Sequence, residues 1–169
     1  MVKPPDPGRG NGRALEGRAK NMPSTHLSLH YHLVFSTKER RPWIVSDWRD
    51  RLHAYLGGIV RGEGGVALAV GGTADHAHLL VRLRAIHRLA DVVKHVKADS
   101  SRWVHEALSF TPFAWQEGYG AFTVSLAETG RLQRYIADQD VHHRTRSFQE
   151  EYIALLREHG VEFDEHYLW

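Results

Sequence analysis

Apolar and polar residues alternate along LSLHYHLVFS, residues 27–36, which predicts a β-strand with one face buried. A polar, basic loop follows, Thr37-Lys38-Glu39-Arg40-Arg41-Pro42. Leu52, Leu56, Ile59 and Val60 then recur at helical spacing, predicting a helix capped by Ser46 or Asp47 and running to about Gly62. Glu63-Gly64-Gly65 breaks it, and residues 66–70 and the run HAHLLVRL read as two strands of a hairpin around Gly71-Gly72-Thr73. Residues 89–108 form a second amphipathic helix with Lys94, Lys97 and Arg102 on its outer side, and residues 119–126 a fourth strand. Two further helices are expected, over about 129–141 and 147–159. The order β-α-β-β-α-β followed by two helices predicts an α+β, ferredoxin-like sheet with both main helices on one face and the other face free for a ligand or partner. Residues 1–21, rich in Pro, Gly and Arg and without periodicity, are expected to be a disordered extension, leaving one domain over 22–169 and Met22 as a candidate natural start.

Composition narrows the function classes. There is no cysteine, which excludes a disulfide framework and a thiolate metal site and fits an intracellular, cytoplasmic protein. No apolar run approaches the roughly 20 residues that span a bilayer, and the N-terminus lacks the apolar core of a secretory signal. The net charge of +2 conceals a division: residues 22–148 carry an excess of four positive charges, mostly Arg, while the tail from Gln149 to Trp169 is acidic. Arginine suits bidentate phosphate contacts. Lys38, Arg40, Arg41, Arg82, Arg84, Lys94, Lys97 and Arg102, interleaved with Tyr31, Phe35, Trp43 and Trp103, are candidate nucleic-acid contacts. The same residues also fit a solvated helix face above core aromatics.

Asp75-His76-Ala77-His78 carries the sharpest chemistry. Residues two apart in a strand share a face, so His76 and His78 stand side by side, as a divalent metal requires. Two imidazoles bonded to their neighbours would look the same, and with 13 histidines a chance pair such as His30/His32 is expected. Tyr135 and Gln139 are four apart on a predicted helix and share a face, offering a nucleophile and a neutral oxygen ligand, or simply a half-buried tyrosine. His142-His143-Arg144 reads better as a helix C-terminal cap than as a second metal site. Nucleotide-binding glycine loops and the serine-hydrolase elbow are absent.

Together these segments resemble the HUH single-tyrosine transposases, which comprise small bacterial insertion-sequence transposases and REP-associated tyrosine transposases. The resemblance covers about residues 26–155. It rests on YHLVFSTKERRPW, DHAHLLVRL, KHVKADSSRWV, WQEGYGAFTVS and RYIADQ in that order, with Ala77 a small version of the hydrophobic residue between the two histidines. It implies that His76, His78 and Gln139 ligate a divalent metal, Mg²⁺ or Mn²⁺, the latter suiting two imidazoles better. It implies that Tyr135, on the third helix, attacks single-stranded DNA at hairpin-marked ends through a 5′-phosphotyrosine link, so that rejoining needs no ATP. A tyrosine with an ordinary pKa of about 10 needs help to lose its proton, and the sequence does not identify the base. Relatives of this kind work as homodimers that exchange the tyrosine helix, or as monomers. A domesticated hairpin nickase, a non-catalytic nucleic-acid-binding module and a zinc hydrolase are the competing readings; the last lacks a further ligand or general base placed by sequence.

Overall fold

The computed structural model describes residues 25–143 and 145–169, so the expectations for residues 1–21 and for Met22 lie outside the described residues. The strands are β1 (His30–Ser36), β2 (Val66–Gly72), β3 (His76–Arg82) and β4 (Gly120–Val124). The helices are α1 (Ser46–Gly62), α2 (Leu89–Ala107), α3 (Thr129–Ala137), α4 (Gln139–His142) and α5 (Phe148–Glu158). The sheet order is β2-β3-β1-β4 and every neighbouring pair is antiparallel. This is the expected ferredoxin-like arrangement: each crossover helix spans a strand inserted between the two it joins.

Register assigns the two faces. Tyr31, Leu33 and Phe35 of β1 lie opposite Val81, Leu79 and Ala77 of β3. These side chains join Leu52, Leu56 and Val60 of α1 and Val92, Val93, Val96 and Val104 of α2 in the main core. The three- and four-residue spacing that predicted the helices is thus the spacing that packs them. Leu79 is fully buried there. Leu79→Ala is expected to cost about 2–5 kcal/mol, read as a lower urea midpoint with unchanged slope.

The alternate residues of β1 and β3, His32, Val34, His76 and His78, point to the opposite face. That face was expected to be free, yet the same chain covers it. α3 packs on β2 and β3, and Phe148 and Leu156 of α5 form a second core with Val34 and Phe122. The reason lies in the face itself: Val34 and Phe122 supply apolar surface that the C-terminal helix needs for its own Phe148 and Leu156. A complete capping box starts α5, with Ser147 Oγ accepting from the Glu150 amide and Glu150 Oε2 accepting from the Ser147 amide at 2.8 Å. The expected cap at Ser46 or Asp47 does not form: Val45 holds the cap position and offers no side-chain bond. The third helix is shorter than expected, because Asp138 (φ −94°, ψ 17°) interrupts it and Gln139 opens a separate turn, α4. None of the described helices is long and apolar enough to cross a membrane.

Candidate active site and metal centre

The turn Gly72-Thr73-Ala74-Asp75 delivers the histidines. Gly72 has φ +144°, which favours glycine. The turn is held by the Thr37 amide donating to the Asp75 carbonyl at 2.8 Å. Asp75 Oδ1 accepts from His76 Nδ1 at 2.7 Å and from the Thr73 hydroxyl at 3.1 Å. Partial burial works against the Asp75 charge, but the His76 hydrogen bond and charge and the Thr73 hydroxyl prevail and hold its pKa below the ordinary carboxylate value. An ionised Asp75 is an acceptor only, so His76 Nδ1 donates to it, and this contact fixes the ring with Nε2 facing inward.

His78 is set by its neighbour on β1. Its Nδ1 lies 2.8 Å from His32 Nε2, and the two rings stack with centroids 5.1 Å apart. Burial, then the charges of His78 and His159, push the His32 pKa well below its ordinary value, so His32 is neutral. On the other side of His76, the Phe148 ring stacks at 4.4 Å.

Three helices close over the pair. Gln139, 1% exposed, brings Oε1 to 3.1 Å from His76 Nε2 and 3.0 Å from His143 Nε2. Its Nε2 donates to Glu151 Oε1 at 3.2 Å, and the Tyr135 hydroxyl donates to the same oxygen. Glu151 Oε2 lies 2.8 Å from His143 Nε2 and 3.8 Å from His76 Nε2, while Oε1 lies 3.6 Å from His78 Nε2. Glu151 is 1% exposed. Burial raises its pKa from 4.5 to about 7, against the pull of His76 and with the help of Asp75.

His143 Nδ1 lies 2.8 Å from the Arg146 carbonyl, which can only accept, so this contact turns the ring and leaves Nε2 facing the site. The Nε2 atoms of His76 and His143, Gln139 Oε1 and Glu151 Oε2 converge on one point. Ligand atoms of His76, His78, His143 and Glu151 all lie within 4.8 Å of one another. Such a nitrogen-and-oxygen set can hold a divalent metal ion.

The chain is similar to known proteins. Residues 25–139 match the family model for IS200-like transposases. The chain belongs to the IS200-like transposase family. This transposase is 28% identical over 117 residues to the ISDra2 transposase TnpA of Deinococcus radiodurans, covering 66% of this chain and 84% of that protein. It is 26% identical over 129 residues to the transposase of insertion sequence IS200 from Salmonella typhimurium, covering 73% and 84%. A crystal structure of a Deinococcus radiodurans transposase superposes with a TM-score of 0.55 at 27% identity, over 70% of this chain and 97% of that one. A REP-associated tyrosine transposase solved bound to a REP hairpin shares the fold, with a TM-score of 0.53 at 13% identity over 72% and 74% of the two chains.

The structure of the transposase gathers His76, His78, Gln139 and Tyr135 at one point. It does not gather the eight basic residues. Lys38, Arg40 and Arg41 follow β1 at the end of the sheet where Ser36 pairs with His76, whereas Arg82 and Arg84 lie at the far end, where Arg82 pairs with His30. Arg40 sits over the Trp169 ring at 4.9 Å, and Arg41 bonds to Glu39 at 2.8 Å. Lys94, Lys97 and Arg102 ride on α2, across the sheet from the histidines. Lys97 donates to the carbonyls of Gln116, Glu117 and Gly118, and burial brings its pKa down to about 8. Arg102 bonds to Asp99 at 3.1 Å.

Two site residues were not placed at this site from the sequence: His143, read as a helix cap in preference to a second metal site, and Glu151. The His142 side chain and Arg144 lie outside the described residues. His143 does not cap its own helix as expected: its Nδ1 reaches the carbonyl of Arg146, in the turn before α5, and its second nitrogen belongs to the site. Glu151 had a signal: it falls three residues after Phe148 and four before Leu155, an acid on the apolar stripe of its helix.

Proposed function

We propose that this transposase cleaves and rejoins single-stranded DNA by transesterification, with Tyr135 as nucleophile. The observation that carries the reading is the hydrogen bond from the Tyr135 hydroxyl to the buried Glu151 carboxylate, beside the His76, His78 and Gln139 side chains. The Tyr135 oxygen attacks the phosphorus of a phosphodiester. Its proton passes to Glu151 Oε1, the bond to the 3′ oxygen breaks, and that oxygen takes a proton from water and leaves as a hydroxyl, while Glu151 returns its proton to the solvent and the 5′ phosphate stays on the tyrosine. Glu151 is the base the sequence did not identify. A carboxyl whose pKa is lifted to about 7 is a better proton acceptor at neutral pH than an exposed glutamate. A divalent ion, Mn²⁺ or Mg²⁺, held by His76, His78 and Gln139 with His143 and Glu151 in reach, would supply positive charge to the non-bridging phosphate oxygens.

The two carboxylate oxygens divide the work. Oε1 takes the hydrogens of Tyr135 and Gln139, and Oε2 faces His76 and His143. The Asp75 and His32 contacts fix the ring orientations and keep the Nε2 atoms inward. The hairpin-bound REP-associated neighbour supports a hairpin-bearing single strand as substrate. Within this chain the tyrosine helix reaches its own histidines, and exchange of that helix within a homodimer would assemble the same groups. A mobile-element transposase and a domesticated hairpin nickase share this chemistry and differ in genomic setting.

Incubation with single-stranded hairpin oligonucleotides and Mn²⁺ is expected to give a protein–DNA adduct that survives denaturing electrophoresis. The adduct should vanish in Tyr135→Phe, in His76→Ala and with chelator. An adduct that persists in Tyr135→Phe overturns the nucleophile. Mixing Tyr135→Phe with His76→Ala should restore nothing if the site works in cis; restored activity means helix exchange.

A further inference from the structure

A cavity of about 270 Å³ opens beside the Tyr135–Glu151 pair, on the β4 side of the site. Tyr135, Glu151 and His32 line its inner end. Half-buried Val124, Leu132, Ala154 and Leu155 line it as well, giving it apolar walls from β4, α3 and α5. Arg131 and Arg146 line it too, as do the exposed carboxylates of Glu128 and Glu158. The catalytic scheme above uses only Tyr135, Glu151 and His32 among these residues.

We propose that this cavity is a base site: it takes the single unpaired nucleobase next to the phosphate that Tyr135 attacks, and prefers a base with an exocyclic amino group. The inference rests on the cleavage chemistry proposed above and adds to it a determinant of sequence preference. Size argues for one base, since the volume lies at the small end of ligand sites, about 300 Å³ and upward, and paired strands do not fit. The walls argue for a flat apolar ring, because leucine, valine and alanine side chains left half-open gain by covering it. The carboxylates argue against a phosphate inside the cavity and for an amino group. Adenine, cytosine and guanine present a donor that Glu128 or Glu158 can accept, while thymine presents only a ring N–H between two carbonyls. Arg131 and Arg146 remain for the sugar-phosphate chain that enters with the base. Arg131 lies 3.3 Å from Glu128 and Arg146 bonds to the Glu150 carbonyl at 3.2 Å, so both guanidinium groups keep further N–H donors for such contacts.

The test uses the full chain carrying Tyr135→Phe, with methyl-labelled Leu, Val and Ala followed by NMR as dAMP, dCMP, dTMP or deoxyribose 5-phosphate is added. The expected result is saturable movement of the Val124, Leu132 and Leu155 methyl signals with dAMP and dCMP. Binding of dTMP should be about tenfold weaker, the loss of one hydrogen bond to a charged group, and the base-free sugar phosphate should leave the signals in place. Leu132→Trp, which fills the cavity, should abolish the movement. Signals that stay fixed with every nucleotide, or move equally with deoxyribose 5-phosphate, overturn the base site. Unmodified protein is then challenged with hairpin oligonucleotides whose single-stranded flanks are randomised. Adducts without base preference on either side of the cleaved bond overturn the base site and leave the cleavage chemistry standing. Nucleotide binding at these methyls with no adduct from any hairpin upholds the base site and overturns the cleavage chemistry.

Discussion

Gly71→Ala is expected to lower adduct formation about a hundredfold while the protein stays folded. Gly71 pairs with His78 across the sheet, and the backbone of α3 lies directly on it. A Cβ at this position would overlap the Ile136 carbonyl oxygen and come within 2.8 Å of Ile136 Cγ2. Neither neighbour can yield cheaply, since one is helix backbone and the other belongs to a residue only 1% exposed. α3 must lift, and it carries Tyr135 on the residue before Ile136 and leads directly into α4, which opens on Gln139 three residues after it. A misplacement of about 1 Å in a catalytic group can cost about 10² in rate, whereas overpacking of this kind costs about 1–3 kcal/mol in stability. Adduct yield over time and urea denaturation, measured together, separate the two effects. A wild-type rate in the variant would mean that α3 is not seated on Gly71.

Glu151→Gln is expected to lower the rate of adduct formation about 10²–10⁴-fold, the usual worth of a general base, and to reverse part of the pH dependence of stability in the metal-free protein. The folded pKa of about 7 lies above the ordinary 4.5, so the folded state binds this proton more tightly than the unfolded one. Stability is then unaffected by Glu151 below about pH 4.5 and falls as pH rises toward 7, by on the order of 3 kcal/mol in all. The glutamine variant lacks this loss, so its advantage over wild type in chelator should grow from pH 5 to pH 8. The histidines act in the opposite sense. His32, and His53 with its pKa brought down to about 4 chiefly by burial, destabilise the fold as pH drops below 6.5. Both are present in either protein and cancel in the difference. Equal pH profiles from chemical denaturation would remove the buried carboxylate from the account.

The sheet and its two crossover helices were legible because their hydrophobic periods are clean and glycines mark the breaks. The His76/His78 pair was legible for the same reason, since alternation alone places both on one face. Tyr135 and Gln139 were legible as a pair, although Asp138 separates them into two helices; the one-turn offset survives the break. What closes the site was not legible. Glu151 lies twelve residues beyond Gln139 and outside the matched segment, within a tail whose charge read as acidic on average. Only packing of α5 through Phe148 and Leu156 shows that this one acid faces inward. The basic residues erred in the other direction: chain proximity suggested a shared surface, and the register spreads them over two faces and two ends of the sheet.

Along β3 the residues alternate between two environments that have nothing in common, a hydrocarbon core for Ala77, Leu79 and Val81 and a polar pocket for His76 and His78. The strand is therefore a single binary switch. A slip of β3 by one residue against its neighbours would turn the whole strand over, sinking two imidazoles into the core and presenting alanine and leucine to the tyrosine. The β2–β3 pair already takes up one irregularity, between Ala67 and Ala69, without such a slip. The register of β3 is thus held by the fold and the chemistry together.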